Sequence, residues 1–190
     1  YRTQLGFPED NYTVLYCGRL SPEKSPIYAI QAFANVPLPN KSLIIVGDGV
    51  LKESLMEYVA TNKIESVYFC GFKNRRELPK YYAASDVLVL PSDQETWGIV
   101  VNEAMCFGLP VLASDQVGAA RDLVLPGYNG FTFPQGDVAE LSKKIQCLMF
   151  QSPAEKQAMA AGSRELIEKW VKRALIDEFE QHLDLVYSSR

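Results

Sequence analysis

The chain has a single histidine, His182, and four cysteines, Cys17, Cys70, Cys106 and Cys147, that form no Cys-x-x-Cys pair. The spacing of a zinc site is therefore missing, as is the cysteine density of a disulfide-stapled domain. Three of the cysteines lie in or beside apolar segments, where a free thiol packs as a small hydrophobe. A reduced, cytoplasmic setting is the expectation. No apolar run approaches the 18 residues of a membrane span, and no signal-peptide pattern is seen. Long tracts of one charge are also absent, and the net charge is −4. That excludes the basic footprint of non-specific nucleic-acid binding. Neither a Gly-x-Gly-x-x-Gly turn after the first apolar run nor any Asp-x-Asp pair occurs. The first absence argues against a dinucleotide-binding oxidoreductase.

What is present is an ordinary globular composition, 47% apolar and 22% charged over 190 residues, enough for one domain with a full core. The order of elements alternates. Short apolar runs at 13–18 (TVLYCG), 42–47 (SLIIVG), 67–71 (VYFCG), 86–90 (DVLVL) and 110–114 (PVLAS) read as strands, with a further short one at 131–133. Helical patterns follow at 26–36, 50–61, about 76–84, 98–107 and 137–150. Val/Ile/Leu-rich strands that each lead into a helix predict a Rossmann-like doubly wound parallel sheet covered on both faces, an α/β fold. In such sheets ligands bind beyond the carboxyl ends of the strands. The chemistry is thus expected just after Gly18, Gly47, Gly71, Leu90 and Ser114.

From about residue 154 to 187 nearly every residue favours helix, with Gly162 and Trp170 as the expected breaks. This divides the chain into a domain at 1–150 and a helical tail at 151–190. The chain begins at Tyr1, without methionine, in a polar stretch to Asn11, which reads as a cut inside a longer protein.

Three loops carry residues with chemical potential. After the fourth strand comes Glu95-Thr96-Trp97-Gly98-Ile99-Val100-Val101-Asn102-Glu103. Glu95 falls in the loop above a helix N-terminus and Glu103 more than a turn inside it. The amides of Gly98, Ile99 and Val100 are the unsatisfied donors of that helix end, a seat for phosphate or sugar oxygens. Glycine at 98 allows close approach of a ligand to the backbone. The competing description is that Glu95 complements the helix dipole and Glu103 is solvated. After the first strand, the segment 18–24 (GRLSPEK) places Arg19 and Lys24 on one loop. A guanidinium can clamp phosphate with two donors and an ammonium acts as a mobile point charge; equally, Lys24 could pair with Glu23. After the second strand, Gly47-Asp48-Gly49 suits a tight turn in which Asp48 caps the next helix. Gly71-Phe72-Lys73 stands where stacking or backbone contacts to a base would occur.

Taken together, GRLSPEK, VGDG, FCGF, YYAASDVLVLPS, the Glu95-x7-Glu103 element, EAMCFGLPVLAS and PGYNGFTF occur in order over about residues 14–150. In this the chain resembles the C-terminal, nucleotide-sugar-binding domain of the retaining glycosyl transferases group 1 family, one half of a GT-B fold. The resemblance implies that Arg19 and Lys24 hold a diphosphate, that Glu95 contacts hydroxyls of the transferred sugar and that Glu103 holds the ribose. It implies backbone contacts to sugar and phosphate around Trp97, Gly98, Ile99 and Val100, with Gly18 and Asp48 in the same site. Phe72 and Lys73 would lie against the base. The implied donor is a UDP- or GDP-hexose, used without metal or other cofactor. The implied partners are an N-terminal acceptor domain and a glycan or lipid-linked acceptor, with peripheral association at the inner membrane face. The tail with Trp170 resembles helices that lead back towards the N-terminal domain. Two departures concern loop shape: Ser25-Pro26 follows the lysine where glycine is usual, and Gly118-Ala119 stands for a glycine pair, with Arg121-Asp122 where a glutamate is common. A donor-binding domain without transferase activity and a GT-B nucleotide-sugar epimerase are the alternatives.

Overall fold

The computed structural model describes residues 1–188, with side chains described through residue 173. Its centre is a six-stranded, all-parallel sheet in the order β3-β2-β1-β4-β5-β6. The strands are β1 (Tyr12–Cys17), β2 (Lys41–Val46), β3 (Val67–Gly71), β4 (Val87–Leu90), β5 (Val111–Ser114) and β6 (Gly130–Phe133). β1 pairs with β2 on one side, Val14 opposite Leu43, and with β4 on the other, Val14 opposite Val87. The strand order therefore reverses between β1 and β4, which opens a crevice at their carboxyl ends.

The apolar runs are continuous because both sheet faces are covered. Along β1, Leu15 and Cys17 join a core with α4 (Leu78–Ala83), α5 (Ile99–Cys106), α6 (Gly118–Leu123) and Ile167. Val14 and Tyr16 point into the opposite core with α2 (Pro26–Asn35), Leu55 of α3 (Lys52–Thr61) and α7 (Val138–Met149). Each fully buried Val, Leu or Ile contributes about 1.5–3 kcal/mol. A short α1 (Arg2–Leu5) opens the chain. It is fastened by Arg2, whose guanidinium donates to Ala84 O at 2.8 Å and lies 2.6 Å from Asp86 Oδ2.

Three expectations need correction. α8 runs as one helix from Pro153 to Ser188, without breaks at Gly162 or Trp170. Gly162 serves packing: a Cβ there would stand 2.8 Å from Tyr128 O. α6, six residues long, was not expected. The four cysteines are all free, but Cys106 and Cys147 are exposed and only Cys17 is buried. His182 lies outside the residues whose side chains are described. No described helix is long and apolar enough to cross a membrane.

Candidate functional site at the carboxyl edge of the sheet

The loops leaving β1, β2 and β3 are tied backbone to backbone. Gly18 N donates to Val46 O at 3.0 Å, Leu20 N to Asp48 O at 3.0 Å, Leu51 N to Leu20 O at 3.0 Å and Gly47 N to Gly71 O at 2.9 Å. The approach is so close that a Cβ on Gly47, at φ 145°, would fall 1.8 Å from Gly18 O. Only glycine allows this. Between the three loops lies a cavity of about 350 Å³ whose lining includes Gly18, Arg19, Asp48, Phe72, Lys73 and Leu78. Five residues named from the sequence thus converge on one space.

Arg19 is exposed, and its side chain makes no hydrogen bond or ion pair among the described residues. Its backbone is fixed, because the buried Tyr16 hydroxyl donates to Arg19 O at 2.9 Å. Phe72 is 74% exposed and stands free at the rim. Lys73 Nζ lies 5.6 Å from the Tyr81 ring centroid, within cation–π range. Asp48 does not cap α3: its Oδ1 accepts the Gly49 amide at 2.8 Å and its Oδ2 lies 2.9 Å from Lys52 Nζ. The turn is too tight to carry Asp48 to the helix start, where Leu51 is the cap residue.

The loop after β1 also meets the loop after β4. Residues Pro22–Lys24 form a 3₁₀ turn that ends at Ser25 in the left-handed region, φ 48° and ψ 46°. Ser25 thus adopts the conformation that glycine takes freely. The turn carries Lys24 away from Glu23 and brings its Nζ within 2.6 Å of Glu95 Oε2, both side chains mostly buried. Glu23 instead accepts the Ser21 hydroxyl at 2.6 Å, which holds its carboxyl below the usual range. The Glu23 carbonyl accepts the amides of Asp93 and Gln94 at 2.9 and 3.2 Å.

Glu95 is held from a third side. Gly118 N donates to Glu95 O at 3.0 Å and Ala119 N to Trp97 O at 2.8 Å. A Cβ on Gly118 would stand 2.1 Å from Thr96 O, which explains the glycine kept there although Ala119 replaces its neighbour. Gly98, at φ 91°, precedes α5. The first helix amide with a backbone acceptor is that of Val101, on Gly98 O at 2.9 Å. The amides of Gly98, Ile99 and Val100 have no backbone acceptor among the described residues. Ile99 is exposed, whereas Val100 packs against the core.

Trp97 and Glu103 have partners of their own. The Trp97 indole donates to Asn102 Oδ1 at 2.9 Å and stacks on Trp170 at 5.4 Å between centroids, so its ring serves α8. Glu103 is not simply solvated: its Oε2 accepts the Tyr82 hydroxyl at 2.7 Å. It lines a neighbouring depression of about 380 Å³ with Arg75, Leu78, Tyr82 and Phe107. Leu78 borders both spaces. Tyr82 and the α6 amides are the contributors that sequence reasoning missed. The YYAASD segment and Gly118 were the available signals.

A larger cavity, about 610 Å³, lies near the amino ends of β2 and β3 around Asn40, Lys41 and Lys63. It gathers none of the named residues, and the Lys41 ammonium is already held by the Phe33 and Val36 carbonyls. No three His, Cys, Asp or Glu side chains among the described residues cluster as a metal site would need.

Comparison with known proteins identifies the family and the fold. The profile of the family described as glycosyl transferases group 1 matches residues 1–165. The chain is 35% identical over 178 residues to the sulfoquinovosyl transferase SQD2 of Arabidopsis thaliana, covering 91% of this chain and 33% of that protein. It is 32% identical to a GDP-mannose-dependent alpha-mannosyltransferase of Mycobacterium tuberculosis, covering 96% and 45%. Among solved structures, sucrose-phosphate synthase from Thermosynechococcus elongatus superposes with a TM-score of 0.85 at 30% identity, covering all of this chain and 49% of that one. Anabaena Alr3699/HepE in complex with UDP-glucose superposes with a TM-score of 0.82 at 28% identity, covering 95% and 51%. The chain spans between a third and a half of the length of these proteins. By profile, sequence identity and fold, the chain belongs to the glycosyl transferases group 1 family.

Proposed function

We propose that this chain binds the nucleoside diphosphate sugar in a retaining, metal-independent glycosyltransferase that moves a hexose to a glycan or lipid-linked acceptor. The observation that carries the reading is the ion pair of Lys24 and Glu95 beside the open amides of α5, with Arg19 on the same loop as Lys24. An ammonium has three N–H donors, so Lys24 can keep Glu95 and still meet a phosphate oxygen. Arg19, Lys24 and the amides of Gly98, Ile99 and Val100 would balance the charge that develops on the departing diphosphate. Glu95 would accept hydroxyls of the transferred sugar, and Glu103 those of the ribose. The base would enter the cavity beside Gly18 and Asp48, against Phe72 and Lys73. Anabaena Alr3699/HepE, a structural neighbour, was solved with UDP and with UDP-glucose, which supports a donor of this class.

In this reading the acceptor hydroxyl attacks from the face the diphosphate leaves, and Glu95 positions the sugar without forming a bond to it. Acceptor contacts belong to a further, N-terminal half, together with any association with a membrane face. A closed cleft is needed to exclude water, so the 190-residue chain alone binds donor weakly and transfers little. The test is to incubate the Glu95→Gln variant and the parent with donor in EDTA and to examine the protein by mass spectrometry and any product by NMR. Anomeric retention with no glycosyl adduct supports the mechanism; a sugar covalently attached to Glu95 overturns it.

A further inference from the structure

Tyr82 is tied to the site by more than proximity. Its ring is 2% exposed and stacks on Phe107 at 5.4 Å. Its hydroxyl donates to Glu103 Oε2 at 2.7 Å and lies 3.8 Å from Cys17 Sγ at the end of β1. Burial above all, with Cys17 and Glu103 beside it, pushes the phenol far above its ordinary range, so it keeps its proton and serves as donor. Glu103 Oε1 has no hydrogen-bond partner among the described residues and belongs to a side chain that lines an open depression.

A free carboxylate on a long side chain turns broadly about its last torsion. Fixing one oxygen from a buried anchor removes that freedom and leaves the other oxygen in one orientation, as recognition of hydroxyls on a ring requires. We infer that Tyr82 is a positioning residue that orients Glu103 for the ribose and thereby sets the preference of the site for ribonucleotides over nucleotides lacking ribose hydroxyls. This rests on the reading of Glu103 as the ribose ligand. Tyr82 comes from α4 and Glu103 from α5, so the preference depends on how these two helices pack at the sheet edge.

The test is calorimetric titration of the chain with UDP, GDP and ADP, each beside its 2′,3′-dideoxy counterpart, in the parent, Tyr82→Phe and Glu103→Gln. The parent is expected to favour the ribonucleotide by about tenfold or more, the worth of a hydrogen bond to a charged group. Tyr82→Phe should lose most of that preference, approaching Glu103→Gln, while the dideoxy nucleotide binds both forms alike. Adding Tyr82→Phe to Glu103→Gln should change little further. Tyr82→Phe that keeps the full preference, when Glu103→Gln loses it, overturns the inference alone. A parent with no preference overturns the ribose reading of Glu103 and the inference with it. Should Tyr82→Phe not fold, Phe107→Leu removes the ring that stacks on Tyr82 and loosens its hold. A lowered preference there supports the inference and an unchanged one contradicts it.

Discussion

Lys24 Nζ and Glu95 Oε2 lie 2.6 Å apart although the two residues are 71 positions apart in the chain. The contact joins the loops that leave β1 and β4, the two strands between which the sheet reverses its order. Their side chains are 22% and 18% exposed, so neither charge is fully hydrated. Removing one partner leaves the other short of both water and a counter-charge.

Lys24→Met should weaken binding of a nucleoside diphosphate by about tenfold or more, the loss of a charge-assisted hydrogen bond. Glu95→Gln should leave the free nucleotide nearly unaffected and weaken the sugar nucleotide. In unfolding experiments the double variant should show a coupling of about 1 kcal/mol, reduced from the buried limit because water still reaches both groups. Independent, additive effects in a full double-mutant cycle would contradict this arrangement.

Gly47→Ala should be among the most damaging single-methyl changes in the chain. The added carbon would fall 1.8 Å from Gly18 O, a backbone atom that cannot swing aside. A cost of about 2–4 kcal/mol and a lowered melting temperature are expected, with loss of donor binding. Gly71→Ala is the control. At φ 67° with nothing within 4 Å of the new carbon, it should cost only about 1–2 kcal/mol, the left-handed penalty. Equal effects would mean that loop contact is not the reason for Gly47.

Ser25 explains how the usual glycine can be absent. It sits at φ 48°, buried, with its hydroxyl donating to Pro22 O at 2.9 Å. Ser25→Gly relieves the left-handed strain but loses that bond and loosens the unfolded chain, so stability should change by less than about 1 kcal/mol. Ser25→Val should cost about 2 kcal/mol or more, since a β-branched residue suits this region poorly. Thermal unfolding distinguishes them, and a Val variant as stable as the parent would rule out the turn.

Cys17 should be inert where an end-of-strand thiol beside the cavity invites modification. Burial first, and Glu103 nearby, outweigh the Tyr82 hydroxyl and push its thiol up to about 11. Only the thiolate reacts, so a raised value means little reactive form at pH 8 and a rate that keeps climbing with pH until about 11. Iodoacetamide at pH 8 should modify exposed Cys147 well before Cys17, as read by peptide mass spectrometry. Equal labelling would contradict the burial described for Cys17.

Much of this was legible beforehand, because parallel strands buried on both faces must be continuous apolar runs. β1 through β5 fall within about a residue of where those runs lie. The loop residues around the cavity followed from strand ends. What failed did so for local physical reasons. α6 is six residues long, too short for periodicity to emerge. Gly162 looks like a helix breaker but makes room for the Tyr128 backbone, and Trp170 sits within the helix with its ring stacked on Trp97. Lys24 was as free to choose Glu23 as Glu95 until the 3₁₀ turn fixed its direction. Tyr82 is core, and nothing in its spacing announces that its hydroxyl reaches a carboxylate 21 residues on.

In the function proposed above, the edge around Arg19 binds the diphosphate of a nucleotide sugar. Calorimetric titration with UDP-, GDP-, ADP- and CMP-linked sugars in EDTA, repeated with Arg19→Ala, tests it most directly. Saturable binding of one nucleotide class is expected, weakened by about tenfold or more in Arg19→Ala, where a bidentate phosphate contact would be lost. Binding of equal strength in Arg19→Ala, or no binding across the panel, would contradict it.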